Sequence, residues 1–462
     1  MTLIKSISGI RGTIGGKTGN GLTPVDAVKF AAAYGTWLKN TSNKDSAKVI
    51  VGRDARISGE MISNLVAHTL TGLGIDVIDL GLSTTPTVEV AVPIENADGG
   101  IILTASHNPK QWNALKLLNN KGEFISGEDG KEILEIASQE KFIFSQVDDL
   151  GKIINDDSYL EKHINLILNL PLVDVKAIKG AEFSVVIDAV NSTGGVFIPE
   201  LLKALGVKNI KKLYCDVNGV FPHNPEPLPE HLTDLSELVR KENADLGICV
   251  DPDVDRLALV CEDGSMFGEE YTLVAVSDYV LTHTPGATVS NLSSTRALRD
   301  VTESYGQQYT ASAVGEVNVV NAMKKTNAVI GGEGNGGVIY PELHYGRDAL
   351  VGIALILSHL AHKKCKTTEL RDSYPKYCIS KNKIQLTPEI NVDEILSKMA
   401  EKYSNKEVDT TDGVKIYIDK EWVHLRKSNT EPIIRIYSES ENILKANELA
   451  NKIIQEIKAL LD

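Results

Sequence analysis

Cysteine is scarce and scattered. The 462-residue chain has five, Cys215, Cys249, Cys261, Cys365 and Cys378, with no C-x-x-C pair. That pattern excludes a disulfide framework or zinc knuckle and fits a reducing cytosol. Long apolar runs are lacking as well. The longest, residues 349–357, is far short of the ~20 residues that span a bilayer. Residues 1–6 carry no secretory apolar core, so the expectation is a soluble, cytoplasmic protein with no membrane partner. No block of lysine and arginine occurs, and the balance is 48 − 62 = −14. An acidic chain of this kind does not suit nucleic acid or an anionic lipid surface. An anionic substrate would need local basic residues working against the global field. Glycine (37) outnumbers proline (16) without a G-x-y period, which excludes collagen. A Walker A loop and a G-x-S-x-G elbow are both missing, so neither a nucleotide-driven kinase nor a serine hydrolase of that type is supported.

Hydrophobic residues at 42% and charged residues at 24% are ordinary globular values, and the length suggests three or four domains. Three stretches share one grammar. The first is a strand over 47–52, a polar loop over 53–58, a helix over 59–73, the stop Gly74 and a strand over 75–80. The second is a strand over 183–188, the loop Asn191-Ser192-Thr193-Gly194-Gly195, a helix to 205, Gly206 and a further apolar segment. The third is a strand over 287–291, the loop Ser293-Ser294-Thr295, a helix to 305 and Gly306. Strand, Ser/Thr-bearing loop, helix and glycine stop is the pattern of a βαβ unit. The copies are too far apart for a solenoid. Three separate α/β domains explain them better than one large doubly wound sheet, which shares the grammar. After a polar boundary near 363–374, strands at 381–386, 413–418, 422–426 and 433–437 alternate with helices over 392–403 and from 443, a small α+β domain.

Four segments carry chemistry. Asp251-Pro252-Asp253-Val254-Asp255-Arg256 follows an apolar strand, and carboxylates at i, i+2 and i+4 of an extended or loop backbone come to one side. Clustered anions with no His or Cys ask for a hard cation, Mg²⁺ rather than zinc. An EF-hand is excluded because Arg256 stands where its turn glycine belongs and 257–261 reads as an apolar strand. A solvated acidic loop is the plain alternative. Thr104-Ala105-Ser106-His107-Asn108-Pro109 sets a serine at the C-terminal end of a strand, where α/β domains place ligands, with His107 able to move protons; an ordinary polar turn reads the same way. Gly332-Glu333-Gly334-Asn335-Gly336-Gly337 matches G-x-G-x-x-G, but a strand follows instead of a helix, so dinucleotide binding is rejected. Glu333 and Asn335 on a glycine-rich loop suit sugar hydroxyls, or the loop is a mere hairpin. Arg426-Lys427-Ser428-Asn429-Thr430-Glu431-Pro432, with Arg435 beyond, offers a guanidinium, hydroxyls, an amide and turn N–H groups for a phosphate, or only a turn start. Arg11 and Lys116 add isolated positive charges.

These four segments, in this order, resemble the α-D-phosphohexomutase family over essentially the whole chain. The resemblance implies three related α/β domains with mixed sheets plus a C-terminal α+β domain around a central cleft, with boundaries expected at 1–152, 153–255, 256–368 and 369–462. It implies a phosphoserine at Ser106, Mg²⁺ on Ser106, Asp251, Asp253 and Asp255, and His107, Lys116 and Arg11 around the phosphoserine, where they would assist proton transfer. Arg256 would neutralise phosphate, and Glu333 would contact the sugar. Arg426, Ser428, Asn429, Thr430 and Arg435 would hold the phosphate that is not transferred. The implied reaction interconverts 6-phospho and 1-phospho sugars through a bisphosphorylated intermediate, with a sugar bisphosphate as activator. The glycine-rich loop is most like the archaeal-type phosphoglucosamine mutase branch. Asn335 and Gly337 replace a serine and a histidine common elsewhere in the family, and Gly334 departs even from the branch. A hexosamine phosphate is therefore the leading substrate and a hexose phosphate, as in phosphomannomutases and phosphoglucomutases, the alternative. A phosphomonoesterase using the same serine and a non-catalytic sugar-phosphate binder are the competing readings. The oligomeric state is left open.

Overall fold

The structure, a computed structural model, describes residues 2–6, 9–42, 47–386, 390–427 and 433–460. The chain forms two compact units, Met1–Thr272 with Gly336–Thr368, and Leu273–Asn335 with Glu369–Asp462.

The first unit opens with a seven-stranded mixed sheet of β1 (Ile4–Ser6), β2 (Gly9–Thr13), β3 (Ala47–Arg53), β4 (Ile75–Leu82), β5 (Gly99–Leu103), β6 (Trp112–Leu118) and β7 (Ile153–Asn155), ordered β1-β2-β6-β5-β3-β4-β7. Its central strands are apolar on both faces, as parallel strands covered by helices must be. Val49 and Val51 of β3 pack with Phe30, Trp37, Ile62 and Leu70 of two helices, whereas Ile50 between them faces Val88, Ala91 and Val92 of a third, Thr85–Ile94. The alternation along β3 thus builds two cores from one strand. A four-stranded sheet follows, with β8 (Ser184–Asp188), β9 (Asn209–Leu213), β10 (Leu246–Val250) and β11 (Leu257–Cys261) in the order β11-β10-β8-β9. The run over 349–357 lies in the helix Ala349–Lys363, buried on every side through Ala361. Among the described residues no helix is long and apolar enough to cross a membrane.

In the second unit, β12 (Thr288–Asn291), β13 (Tyr309–Ser312) and β14 (Ile330–Glu333) are parallel, with β12 in the middle. β15 (Gly337–Ile339) belongs to the first unit. The C-terminal sheet is antiparallel throughout. β16 (Cys378–Gln385), β17 (Glu407–Asp409), β18 (Val414–Ile418), β19 (Glu421–Lys427) and β20 (Ile433–Ser440) run in the order β16-β20-β19-β18-β17. The helices Val392–Lys402 and Ile443–Lys458 press Ile395, Met399, Ile453 and Ile457 against Ile416, Val423, Leu425 and Ile436, the α+β packing expected.

The three strand–loop–helix copies are three parallel pairs in separate sheets, β3 with β4, β8 with β9 and β12 with β13. One large sheet is excluded. Two expected boundaries cut through sheets. β7 pairs parallel to β4 beyond 152, and β11 pairs antiparallel to β10 beyond 255. The reason for the second is geometric: the acidic segment is the hairpin connection of β10 and β11, inside a domain and not a joint between two.

Candidate active site

Ser106 lies in the connection from β5 to β6 with φ +48°, a left-handed conformation uncommon outside glycine. Its N–H donates to Thr104 Oγ1 at 2.9 Å. Arg56 clamps the loop from beneath. Its Nη2 donates to the carbonyls of Ser106 and Asn108 (2.6 Å), and Nη1 donates to those of Pro109 (2.8 Å) and Trp112 (3.0 Å). Its Nε donates to Asp54 Oδ2 at 3.0 Å, and the Thr104 hydroxyl donates to the same oxygen at 2.7 Å. A buried guanidinium whose donors all face acceptors is a rigid template, so the serine is presented by design of the loop rather than by a flexible turn.

Asp251, Asp253 and Asp255 are completely buried, and one carboxylate oxygen from each falls within 4.8 Å of the others. Val254 between them has φ +63°, a costly conformation for a β-branched residue. The turn is held by Val254 N donating to Asp251 O at 3.1 Å and Ala349 N donating to Val254 O at 3.1 Å. Ser106 Oγ donates to Asp251 Oδ2 at 2.6 Å, which joins two segments 145 residues apart. Lys116 Nζ donates to Asp253 Oδ2 at 2.6 Å and Asp255 Oδ2 at 3.3 Å. Thr85 Oγ1 donates to Asp253 Oδ2 at 2.5 Å, and Arg347 Nη2 to Asp255 Oδ2 at 2.7 Å. Arg256 Nε stands 3.9 Å from Asp255 Oδ1 and Nη1 3.5 Å from Glu226 Oε1.

The electrostatics follow from this crowding. Burial raises the Asp251 carboxyl well above its ordinary value, and the charges of Asp255 and Asp253 raise it further. Burial also pushes Asp253 up, but the Lys116 charge and hydrogen bond outweigh it and hold that carboxyl below the usual range. Lys116 gains in return: burial lowers it, the two aspartates raise it by more, and it stays charged. His107 Nδ1 sits 3.4 Å from Ser106 Oγ. Burial, then the charge of Arg256, then those of Arg347 and Arg11 lower its pKa against the pull of Asp255, so the imidazole is neutral at neutral pH. Arg11 on β2 pairs across from Ala114 of β6, the strand that carries Lys116.

The acidic cluster fits a divalent cation. Asp253 Oδ1 and Asp255 Oδ1 are buried without a hydrogen-bond partner, which is costly for an anionic oxygen unless a cation meets it. The donors are all hard oxygens.

The first unit therefore gathers Ser106, His107, Lys116, Asp251, Asp253, Asp255 and Arg256, with Arg11 adding its charge at His107. Arg56, Thr85 and Arg347 were not singled out in the sequence. The only signal was for Arg56, a charged Arg53-Asp54-Ala55-Arg56 run at the C-terminal end of β3. Glu333, Asn335, Arg426 and Arg435 lie in the second unit. Glu333 ends β14 and accepts from Asn291 Nδ2 at 2.8 Å and Gly315 N at 3.1 Å; Asn335 follows in the turn. Arg426 of β19 and Arg435 of β20 are directly opposed across the ladder. Like charges so placed repel unless an anion joins them. Arg426 Nε is 2.8 Å from Asp412 Oδ2, which also accepts from Val314 N at 2.9 Å. Ser428, Asn429 and Thr430 lie outside the described residues.

Comparison with known proteins covers nearly the whole chain. Four family models match in order, the phosphoglucomutase/phosphomannomutase α/β/α domains I (residues 3–144), II (157–264) and III (268–377) and the C-terminal domain (383–456). A phosphoglucomutase/phosphomannomutase of Thermococcus kodakarensis is 37% identical over 442 residues, 94% of this chain and 95% of its own. A phosphoglucosamine/phosphogalactosamine mutase of Sulfurisphaera tokodaii is 33% identical over 461 residues, 98% of each chain. A crystal structure of a phosphoglucomutase/phosphomannomutase family protein from Burkholderia thailandensis superposes with a TM-score of 0.85 at 25% identity, covering 99% of this chain and 98% of that one. With all four family models matched in order and relatives above 30% identical over nearly the whole chain, the chain belongs to the phosphoglucomutase/phosphomannomutase family of phosphosugar mutases, enzymes of the isomerase class.

Proposed function

We propose that this chain interconverts glucosamine 6-phosphate and glucosamine 1-phosphate, passing the phosphoryl group through Ser106 and a bisphosphorylated sugar. The observation that carries the reading is the hydrogen bond from Ser106 Oγ to Asp251 Oδ2 inside a cluster that also holds Lys116 and Arg347. Phosphoryl transfer asks for positioning and neutralised charge more than for covalent chemistry.

On this reading Ser106 is phosphorylated in the working enzyme, a sugar bisphosphate supplying the first phosphate. A free sugar hydroxyl attacks phosphorus; its O–P bond forms as the Ser106 Oγ–P bond breaks. The hydroxyl proton passes to the neutral imidazole of His107 and then to the departing Ser106 Oγ, which is left as a hydroxyl. The reverse sequence with the other phosphate of the bisphosphate restores phosphoserine. Lys116 adds charge neutralisation, shared with Arg256, Arg347 and Arg11. Asp251, Asp253 and Asp255 with the seryl phosphate would hold Mg²⁺, which supplies Lewis-acid polarisation of the phosphoryl oxygens. Glu333 and Asn335 take the sugar hydroxyls. Arg426 and Arg435, with Ser428, Asn429 and Thr430, take the phosphate at rest; the opposed arginines support that role.

The hexosamine is supported by the Gly332–Gly337 loop and the Sulfurisphaera relative. The Thermococcus relative favours the second reading, glucose or mannose phosphate. A coupled assay of glucosamine, mannose and glucose 6-phosphates with wild type and Ser106→Ala tests both. The highest kcat/KM with glucosamine 6-phosphate, lost in Ser106→Ala, is expected. A hexose winning replaces the substrate. Free phosphate without isomerised sugar, or binding without turnover, ends the mutase reading.

A further inference from the structure

A second cluster of metal-ligating side chains lies apart from the acidic triad, in the same unit. His163 is on the helix Tyr159–Leu168, His344 precedes the helix Ala349–Lys363, and Asp348 caps that helix. His163 Nε2 is 3.1 Å from Asp348 Oδ2, and His344 Nε2 is 3.4 Å from the same oxygen. All three donor atoms fall within 4.8 Å of one another. Asp348 meets the helix N-terminus with its other oxygen, Oδ1, which accepts from Leu350 N at 2.8 Å and Val351 N at 3.3 Å, so Oδ2 is left for the imidazoles.

Three features suit a dication there. Zinc bonds of about 2.0–2.2 Å set two tetrahedral donors roughly 3.3 Å apart, which the two observed separations bracket. The far nitrogen of His163 is engaged, Nδ1 with Thr87 Oγ1 at 2.9 Å, the outer support that turns Nε2 toward a metal, and His344 Nδ1 faces the Glu89 carboxylate, 3.5 Å from Oε2 and short of a formed hydrogen bond. Two neutral imidazoles and one carboxylate leave a dication with one net positive charge, which buried Glu89 offsets. His163 is completely buried, whereas the His344 side chain is 10% exposed and leaves a side for entry and a water ligand.

We propose that His163 Nε2, His344 Nε2 and Asp348 Oδ2 form a second metal site, for a zinc-type dication rather than Mg²⁺, that ties together the supports of the acidic loop. Those supports begin at the cluster itself. Arg347 beside Asp348 donates to Asp255, Ala349 N donates to Val254 O, and Thr85, in the helix that carries Thr87 and Glu89, donates to Asp253.

The test is a cobalt titration of the full chain, stripped with chelator and then saturated with Mg²⁺ to fill the acidic triad. Wild type binds one equivalent of Co²⁺ with the intense visible band of low-coordinate, nitrogen-ligated cobalt, and Zn²⁺ displaces it. Asp253→Asn keeps the band and His344→Ala loses it, with folding followed by circular dichroism. Glu89→Gln leaves all three ligands in place and weakens cobalt binding about 10–100-fold, which keeps the test decisive should His344→Ala not fold. No band in wild type, a band that His344→Ala and Glu89→Gln leave unchanged, or one that Asp253→Asn abolishes overturns the proposal; each means no ion or an adventitious ion only.

Discussion

Arg347 Nη2 donates to Asp255 Oδ2 at 2.7 Å across 92 residues of sequence, and both side chains are buried. With Lys116 it supplies the positive charge that faces the buried Asp255 carboxylate. Removing one partner of such a pair strands the other. Arg347→Ala is expected to lower the unfolding free energy by about 3 kcal/mol, the low end for a broken buried pair because Lys116 remains 3.3 Å away. Urea denaturation at neutral pH measures it, and a change within 0.5 kcal/mol of zero, the ordinary surface range, would deny the pair its role.

Ser106→Ala removes one hydroxyl from a loop that Arg56 holds through backbone carbonyls. The fold is therefore expected to persist while turnover drops to background and labelled phosphate no longer reaches the protein from a sugar bisphosphate. Retained turnover in a folded variant refutes the shuttle through this serine.

Asp253→Asn leaves the Thr85 and Lys116 neighbours but removes one of the carboxylate charges. The Mg²⁺ concentration for half-maximal activity is expected to rise at least tenfold, equivalent to about 1.4 kcal/mol. A superimposable metal titration would show that the triad does not carry the cation.

Arg426→Ala should weaken substrate phosphate binding by about 1.5–3 kcal/mol, the range for hydrogen bonds to charged groups. KM should rise and leave the Mg²⁺ dependence unaltered. An unchanged KM excludes Arg426 from the phosphate site.

His424 offers a pH test away from the metal ligands. It is buried; Nε2 donates to Asp412 O at 2.7 Å, so Nδ1 accepts from the Ser293 hydroxyl at 3.0 Å. Burial, then the charges of Lys415 and Arg426, lower its pKa to about 4, against the pull of the Asp412 carbonyl and charge. The native state thus favours the neutral ring. The stability this contributes is present above the unfolded value near 6.5 and is lost as pH falls toward about 4, some 3 kcal/mol in all. His424→Gln should flatten that part of the stability profile relative to wild type. Parallel profiles from pH 7 to 4 would contradict it.

The Asp251–Asp255 spacing was legible because a short loop between two apolar strands can present i, i+2 and i+4 to one side whatever surrounds it. The run over 349–357 was legible as a buried element because its apolar residues go all the way round. The boundaries at 152 and 255 were misread for opposite reasons. β7 is three exposed residues with no pattern of their own, and the acidic loop looks like a joint although its flanking strands pair. Arg347 gave no warning, since a lone arginine is ordinarily a solvated surface group, and Arg56 gave only the charged run over 53–56.

By itself, then, the chain's pattern of residues settled its local pieces: the strand–loop–helix copies, the antiparallel C-terminal sheet, the serine loop and the triple aspartate. Which charges face that triad, and which guanidinium shapes the serine loop, was decided only by tertiary structure. Periodicity and spacing act within a few residues. The pairing of Asp255 with Arg347, or Ser106 with Asp251, depends on how sheets and helices pack over 92 and 145 residues of intervening chain, and no local pattern records that.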